Sequence, residues 1–257
     1  MAASSSVSTT NSMKIAVALK QVPTRDSAPG AAESDLQFEI NEPDAYALEA
    51  ALQLREAQGG EVVVVSAGPA RVATAIREAL AKGADRGVHI VVDNLHQLDA
   101  LGVAQLLREA IASESPDLVL TGLQSDDLGS GQTGVILAEL LGVAHATLIM
   151  AIEVNGDSIR VKRELEDGWF QHVTLPLPAV LTIQSGINKL RYATLMGIKK
   201  AKTKEIRELP GTLTPALVVA GPGYAPSRSK QSQIFDGDPE KAAQALAEKL
   251  KYEVRVI

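Results

Sequence analysis

No cysteine occurs among the 257 residues, which excludes disulfides, thiolate metal sites and a cysteine nucleophile. Aromatic residues make up only 3%, too few for a base-stacking platform. Positive charge is also short, with 25 Lys and Arg against 31 Asp and Glu, a net charge of -6 that argues against a general nucleic-acid surface. No apolar run approaches the roughly 20 residues that span a bilayer, so no direct membrane insertion is expected. The first twelve residues, MAASSSVSTTNS, have neither a basic n-region nor an apolar h-region, and lack the arginines of a transit peptide. They read as a disordered tail (1–12), with the cytoplasm as the default location. The rest is ordinary: 46% hydrophobic and 22% charged residues, at a length that suits one large core or one core with appendages.

Strand and helix signals alternate through the first half. Lys14 to Leu19 is a nearly continuous apolar run, as expected of a strand buried on both faces, and Glu61–Ser66, Val88–Val92 and Asp117–Thr121 repeat it. Between them Leu48, Ala51 and Leu52 mark a helix over about 44–57. Val72, Ile76 and Leu80 mark a second, and Leu101, Ala104, Leu107 and Ile111 a third. A fourth is expected over about 131–141. This alternation predicts a parallel sheet with right-handed crossovers. Then the rhythm changes. Residues 147–154 and 158–164 flank Asn155-Gly156, which predicts a hairpin with a type I′ turn, wet on the face of Arg160 and Lys162. Glu166-Asp167-Gly168 predicts another turn, followed by strands over 169–175 and 179–183, so antiparallel strands should extend the sheet. Beyond Lys204 the period is lost until a helix over about 238–250, started by Asp238-Pro239 and carrying Ala242, Leu246 and Leu250 on one side. A turn-rich stretch with a lone helix suggests an arm that completes itself on another polypeptide.

The loop after the 117–121 run reads GLQSDDLGSGQTG, ending at a helix start. Glycines there allow close backbone approach to a phosphate, free amides and the positive helix dipole attract it, and Ser130 and Thr133 add hydroxyls. It fits neither GxxxxGK[ST] nor GxGxxG, and an ordinary capped loop explains it equally well. Its place at the carboxyl end of a parallel strand favours the ligand. Ser66-Ala67-Gly68-Pro69 could admit an adenosine or be a tight turn. The histidines (His89, His96, His145 and His172) lack ligand spacing. Asp126-Asp127 could hold Mg²⁺ or solvate the loop. The lysines at 199, 200, 202 and 204 could complement a helix C-terminus or ring an exposed docking tip anchored by Leu195 and Met196.

In order along the chain stand Lys20-Gln-Val22, Asn41-Glu-Pro-Asp-Ala-Tyr-Ala-Leu-Glu49, Ser66-Ala-Gly-Pro69, Ala81-Lys-Gly-Ala-Asp-Arg-Gly87, Gly131-Gln-Thr-Gly134, the 161–183 region and Arg191-Tyr-Ala-Thr-Leu195. Together they resemble the electron transfer flavoprotein β subunit, over Met13 to about Leu209. The resemblance implies an α/β fold: a three-layer, parallel-sheet, adenine-nucleotide-binding domain over 13–205, Rossmann-like and of the universal-stress and α-hydrolase type. Added antiparallel strands and a C-terminal arm (206–257) packing on an α subunit complete it. It implies FAD held mainly by that α subunit, and AMP as a structural ligand here. Gly129, Ser130, Gly131, Gln132, Thr133 and Gly134 would hold the AMP phosphate, with Ala18, Ser66 and Gly122 around the adenosine. The segment 190–200 resembles the family's recognition loop for acyl-CoA dehydrogenases, with Leu195 as anchor and Tyr192, Met196, Lys199 and Lys200 beside it. Electrons would pass to a quinone oxidoreductase in fatty acid β-oxidation, with no catalytic residue and no metal in this chain.

Two differences qualify the match. The aromatic with which some members contact flavin after the first strand has no counterpart in Pro23-Thr-Arg-Asp26. The bifurcating branch, with a second FAD in place of AMP, has an Asp-Gly-Asp-Thr-type loop, and Leu128-Gly-Ser-Gly-Gln-Thr133 is nearer the AMP type. The rival readings are a nucleotide hydrolase, which needs a lysine or histidine over the phosphates, and a stand-alone nucleotide sensor.

Overall fold

The structure, a computed structural model, describes residues 12–27, 33–219, 221 and 232–256. The tail at 1–11 and the turn-rich stretch at 222–231 lie outside the described residues. Two compact units divide the chain, Met1–Ala220 and Gly221–Ile257.

In the first unit, β1 (Met13–Ala18) leads through a small ribbon, β2 (Gln21–Pro23) and β3 (Phe38–Ile40), into helix α1 (Glu42–Gln58). There follow β4 (Gly60–Gly68), α2 (Ala73–Lys82), β5 (Arg86–Val91), α3 (Ala100–Glu114), β6 (Leu118–Gly122) and α4 (Thr133–Leu141). Then come β7 (Ala144–Asn155), β8 (Ser158–Glu164), β9 (Phe170–Pro176), β10 (Ala179–Ile183), α5 (Leu195–Ala201) and β11 (Ile206–Pro210). One nine-stranded sheet has the order β11-β5-β4-β1-β6-β10-β7-β8-β9. It is parallel from β11 to β7, and β8 and β9 are antiparallel.

The valines of β4 are buried on both faces because helices cover both. Val62 and Val64 belong to a core shared with Leu48 and Leu52 of α1 and Ile76 and Leu80 of α2. Val63 and Val65 belong to a core shared with Leu107 and Ile111 of α3 and Leu137 of α4. At roughly 20–33 cal/mol per Å² of buried apolar surface, two such faces supply most of the drive for folding. The three-layer α/β expectation holds.

Three boundaries differ. The hairpin turn is Gly156-Asp157, because Asn155 already pairs with Ser158, and Gly156 alone of the two central residues has a positive φ (62°), unlike the predicted type I′ turn. Ile159 and Val161 still face the core and Arg160 the solvent. Second, β7 serves two partners: its first half runs parallel to β10 and its second half antiparallel to β8. The change falls at a kink where Leu148 takes φ 60°, braced by Arg163, whose Nε donates to Thr147 O at 2.9 Å and Nη2 to Thr147 Oγ1 at 3.1 Å. Third, residues 206–210, assigned to the arm from sequence, form β11 at the sheet edge beside β5. A five-residue strand of mixed polarity, half-buried at an edge, has no apolar period to betray it.

The second unit contains α6 (Pro239–Glu248), whose first amides, Glu240 N and Lys241 N, donate to Asp238 Oδ1 at 3.1 and 3.2 Å. A π-helical turn over Lys249–Val254 replaces the expected last α-turn. The predicted apolar side is not covered: Leu246 is 45% exposed.

Candidate functional site

The connections from β1 through α1 to β4, and onward to β5, run to one side of β1, and α3 returns the chain to β6 on the other. The carboxyl ends of β1 and β6 therefore flank a topological switch point, where open α/β sheets bind ligands. Ala18 ends β1, Ser66 lies on the neighbouring β4 and Gly122 ends β6, so the fold brings these three to adjacent strand ends.

Their surroundings differ from the sequence expectation. The Ser66 hydroxyl is fully buried and donates to Leu19 O at 2.7 Å, so it ties β4 to the end of β1. Gly122 has α1 against it: a side chain there would collide with Pro43 and the Asp44 carboxylate. Asp44 accepts from Lys20 N at 2.7 Å and from Gly122 N at 2.8 Å, joining the ends of β1 and β6 from the first turn of α1. Burial pushes its carboxyl up to about 7, against the opposing pull of those two amides, Asn41 and the Lys20 charge.

Asn41 precedes α1 yet makes no side-chain cap. Instead its Nδ2 donates to Gln124 O at 3.0 Å and its Oδ1 accepts from Asp126 N at 2.9 Å, fastening the loop that leaves β6. Lys20 reaches the same loop, its Nζ donating to Asp127 Oδ1 at 2.6 Å and Ser125 Oγ at 3.2 Å. Asp126 faces Arg25 at 3.5 Å, so both aspartates are loop pins rather than a cation cage. No metal-binding group of His, Asp and Glu occurs among the described residues. Sequence reasoning passes over Asn41, Asp44 and Lys20 as site residues. Their signal is an Asn and an Asp three residues apart at a helix start, which capping alone explains adequately.

Farther along the loop, Gly129 and Gly131 take φ 61° and 63°, and both are left-handed positions where glycine is the natural residue. The first intrahelical bond of α4 runs from Ile136 N to Gln132 O at 3.0 Å, and the Gln132 side chain makes no cap bond. The amides of Thr133, Gly134 and Val135 thus precede the helical ladder, at the positive end of the dipole. Gly134 is buried tightly: a Cβ would lie 2.6 Å from Thr182 Cγ2 and 2.7 Å from Thr121 Oγ1. The hydroxyl of that same buried Thr182 has no hydrogen-bond partner. An orphaned polar atom beside a glycine-rich helix start suits an anion with oxygen acceptors. Ser130 and Gln132 are exposed and Thr133 is half-buried.

Phe38 on β3 pairs with Pro23, and the Arg71 guanidinium stacks 3.8 Å from its ring centroid.

The second candidate site is the segment before β11. Tyr192 is 93% exposed, Leu195 85% and Met196 62%, with Lys199 and Lys200 exposed beside them. Lone exposed leucines are common, but four large apolar residues, Ile198 included, on one short helix and its lead-in form a patch. The helix begins at Leu195, capped by the Thr194 hydroxyl, which accepts from Gly197 N at 3.0 Å. Lys204 leaves the expected cluster: its Nζ donates to Leu80 O at 3.2 Å and also to Ala84 O, closing the end of α2.

No described helix is long and apolar enough to cross a membrane.

Comparison with known proteins agrees with this layout. The family model described as the electron transfer flavoprotein domain matches residues 30–213. The electron transfer flavoprotein subunit beta of Methylophilus methylotrophus is 40% identical over 247 residues, covering 92% of this chain and 92% of the relative. The Bacillus subtilis subunit beta is 34% identical over 227 residues, covering 85% and 88%. The mitochondrial subunit beta of Oryza sativa subsp. indica is 39% identical over 207 residues, covering 77% and 81%. With a switch-point α/β domain and relatives that match it over most of its length, the chain belongs to the electron transfer flavoprotein β-subunit family.

Proposed function

We propose that this β subunit binds AMP as a structural ligand at the switch point and presents the 190–200 segment to acyl-CoA dehydrogenases, in a heterodimer whose FAD is held mainly by the α subunit. The observation that carries the docking reading is the 85% exposure of Leu195 on a helix ringed by lysines. With Tyr192, Met196 and Ile198 also exposed beside it, Leu195 belongs to an apolar patch of the kind that marks a partner site. Lys199, Lys200 and Lys202 around it favour a partner with an apolar pocket and an acidic rim.

For AMP, the residues present fit the group. Thr133 to Val135 offer amides, Thr182 an unsatisfied hydroxyl, and Gly129 and Gly131 leave room for close approach, while Gly134 lets the helix start pack against Thr121 and Thr182. Asp44 and Asn41 hold the loop's root, and so set the distance between the β1 and β6 ends across which an adenosine would lie. The flavin supplies the redox chemistry when bound. This chain's contribution is to stabilise the dimer, orient the docking helix and shorten the electron path, with no acid–base or nucleophilic step of its own.

The C-terminal unit, with Leu246, Tyr252 and Val254 exposed, is proposed to pack on the α subunit. The proposed acceptor is a quinone oxidoreductase and the proposed location the cytoplasm. Lys20, the one lysine that reaches the phosphate-side loop among the described residues, is engaged by Asp127 and Ser125, which disfavours the hydrolase reading.

Replacing Leu195 by Ala tests the docking reading. Electron uptake from an acyl-CoA dehydrogenase should show a raised KM with kcat preserved, and more so as salt is added, since loss of the anchor leaves only screened charge pairing. An unchanged KM would remove Leu195 from the interface.

A further inference from the structure

The exposed helix α5 stands on a mounting that the docking reading does not explain. Four residues before it, Arg191 binds two glutamates of α1 at once. Its Nε donates to Glu49 Oε2 at 2.7 Å and Nη2 to Glu49 Oε1 at 3.0 Å. On the other edge of the same guanidinium, Nη1 donates to Glu56 Oε1 at 2.5 Å and Nη2 to Glu56 Oε2 at 3.1 Å. Glu49 and Glu56 are seven residues apart, about two turns of α1, so both carboxylates lie on one side of the helix. Glu49 is 4% exposed, and Gln53 Nε2 also donates to it at 2.8 Å.

A planar guanidinium bound along two edges has neither sliding nor rotational freedom. The same segment is held on either side of Arg191. Upstream, Asn188 Nδ2 donates to Tyr46 O of α1 at 3.1 Å. Downstream, Gly197 abuts Ala81 O of α2 so closely that no side chain fits. Arg77 of α2 then grips Ala201 O and Lys204 O, both at 2.6 Å. The apolar tip is thus a short span fixed at its base by charged clamps.

We propose that Arg191 is the positioning residue of the docking segment. By binding Glu49 and Glu56 together it holds Leu195 and Met196 in a preformed geometry, so the partner meets a rigid knob and little ordering entropy is lost on contact. The inference rests on the docking reading and adds to it the device that makes a small aliphatic anchor sufficient. It also says why arginine is needed: a lysine keeps the charge but cannot span two carboxylates along two edges.

Arg191→Met alone would leave the buried Glu49 unpaired and could unfold the region, so it is a poor test. Two other variants avoid this. Arg191→Lys keeps a cation for Glu49, and Glu49→Met combined with Arg191→Met replaces both partners by apolar groups of similar shape, which is close to neutral for stability. Each is prepared as the FAD-loaded heterodimer with its α subunit, beside Leu195→Ala. The measurements are KM and kcat for electron uptake from an acyl-CoA dehydrogenase, the unfolding midpoint, and amide exchange over 192–198.

Both clamp variants should raise KM about tenfold, which corresponds to about 1.4 kcal/mol of lost docking. Amide exchange over the segment should quicken, while kcat and the unfolding midpoint of the double variant stay at native values. A clamp variant with native KM, when Leu195→Ala raises KM, overturns the positioning role and leaves the docking reading standing. A fall in kcat matching any rise in KM, or a lowered midpoint accounting for it, also overturns it as merely structural. If Leu195→Ala itself leaves KM unaltered, the docking reading fails and the clamp has nothing to position.

Discussion

Replacing Asp44 by Asn tests how the switch point is held together. Asp44 is buried at 6% exposure, and its two oxygens each accept a backbone N–H, from Lys20 at 2.7 Å and Gly122 at 2.8 Å. Its carboxyl is raised from 3.8 to about 7, chiefly by burial. The folded protein therefore holds a proton on Asp44 in a range where the unfolded chain has released it. This group's contribution is full below pH 3.8, falls as pH rises to about 7, and is level beyond. At about 1.4 kcal/mol per unit, a rise of about three units amounts to roughly 4 kcal/mol.

Asparagine has no such proton. It also turns an NH₂ towards one of the two amide donors, which leaves a buried donor unpaired at a cost of about 1–3 kcal/mol. The native and Asp44→Asn heterodimers, unfolded in denaturant at a series of pH values, should give stability curves that converge or cross. The variant should be less stable at about pH 4–5 and closer to the native protein, or above it, at about pH 8. Parallel curves would refute the reasoning, because every other titrating group is common to both proteins.

Gly134→Val should destabilise the protein by about 1–3 kcal/mol. Its Cβ meets Thr182 and Thr121 at 2.6 and 2.7 Å, and the change should also release the nucleotide, read by chromatography of the denatured sample. Glu114→Gln at the opposite sheet end should cost about 2 kcal/mol by urea unfolding, since its carboxylate meets both Arg86 and Arg207, at 2.7 Å for the latter. These cations, Arg86 first, hold the Glu114 carboxyl below its ordinary value, so its contribution is full at neutral pH and lost as pH falls through the folded pKa; the Gln variant should show a shallower acid loss. Lys199→Glu with Lys200→Glu should slow association with a dehydrogenase at low salt by stopped flow, and the deficit should shrink as salt rises.

The sheet was legible because a strand buried on both faces is written as a continuous apolar run, and β1, β4, β5 and β6 all carry one. Strand β11 was not, because an edge strand needs only half its side chains to be apolar. Nor was the bend at Leu148 visible, since a leucine at φ 60° is held there by Arg163, reaching back from the next strand to Thr147. In the site, the glycine-rich loop could be read from composition, and Leu195 and its lysines from their order. Asn41, Asp44 and Lys20 could not. Their partners, Gln124, Gly122 and Asp127, are between 78 and 107 residues away, and only the folded sheet brings them together. Lys204 illustrates the converse. It reads as one more lysine of a basic cluster, and its role as a tie to α2 follows from where α5 ends.

The proposal that this chain grips an inert nucleotide while its partner carries the redox centre is tested most directly by what the purified heterodimer releases on denaturation. One FAD and one AMP per dimer is the predicted yield. Two FAD and no AMP would assign the switch point to a second flavin, and a dimer releasing no adenine nucleotide beyond a single FAD would leave the site without the ligand proposed for it.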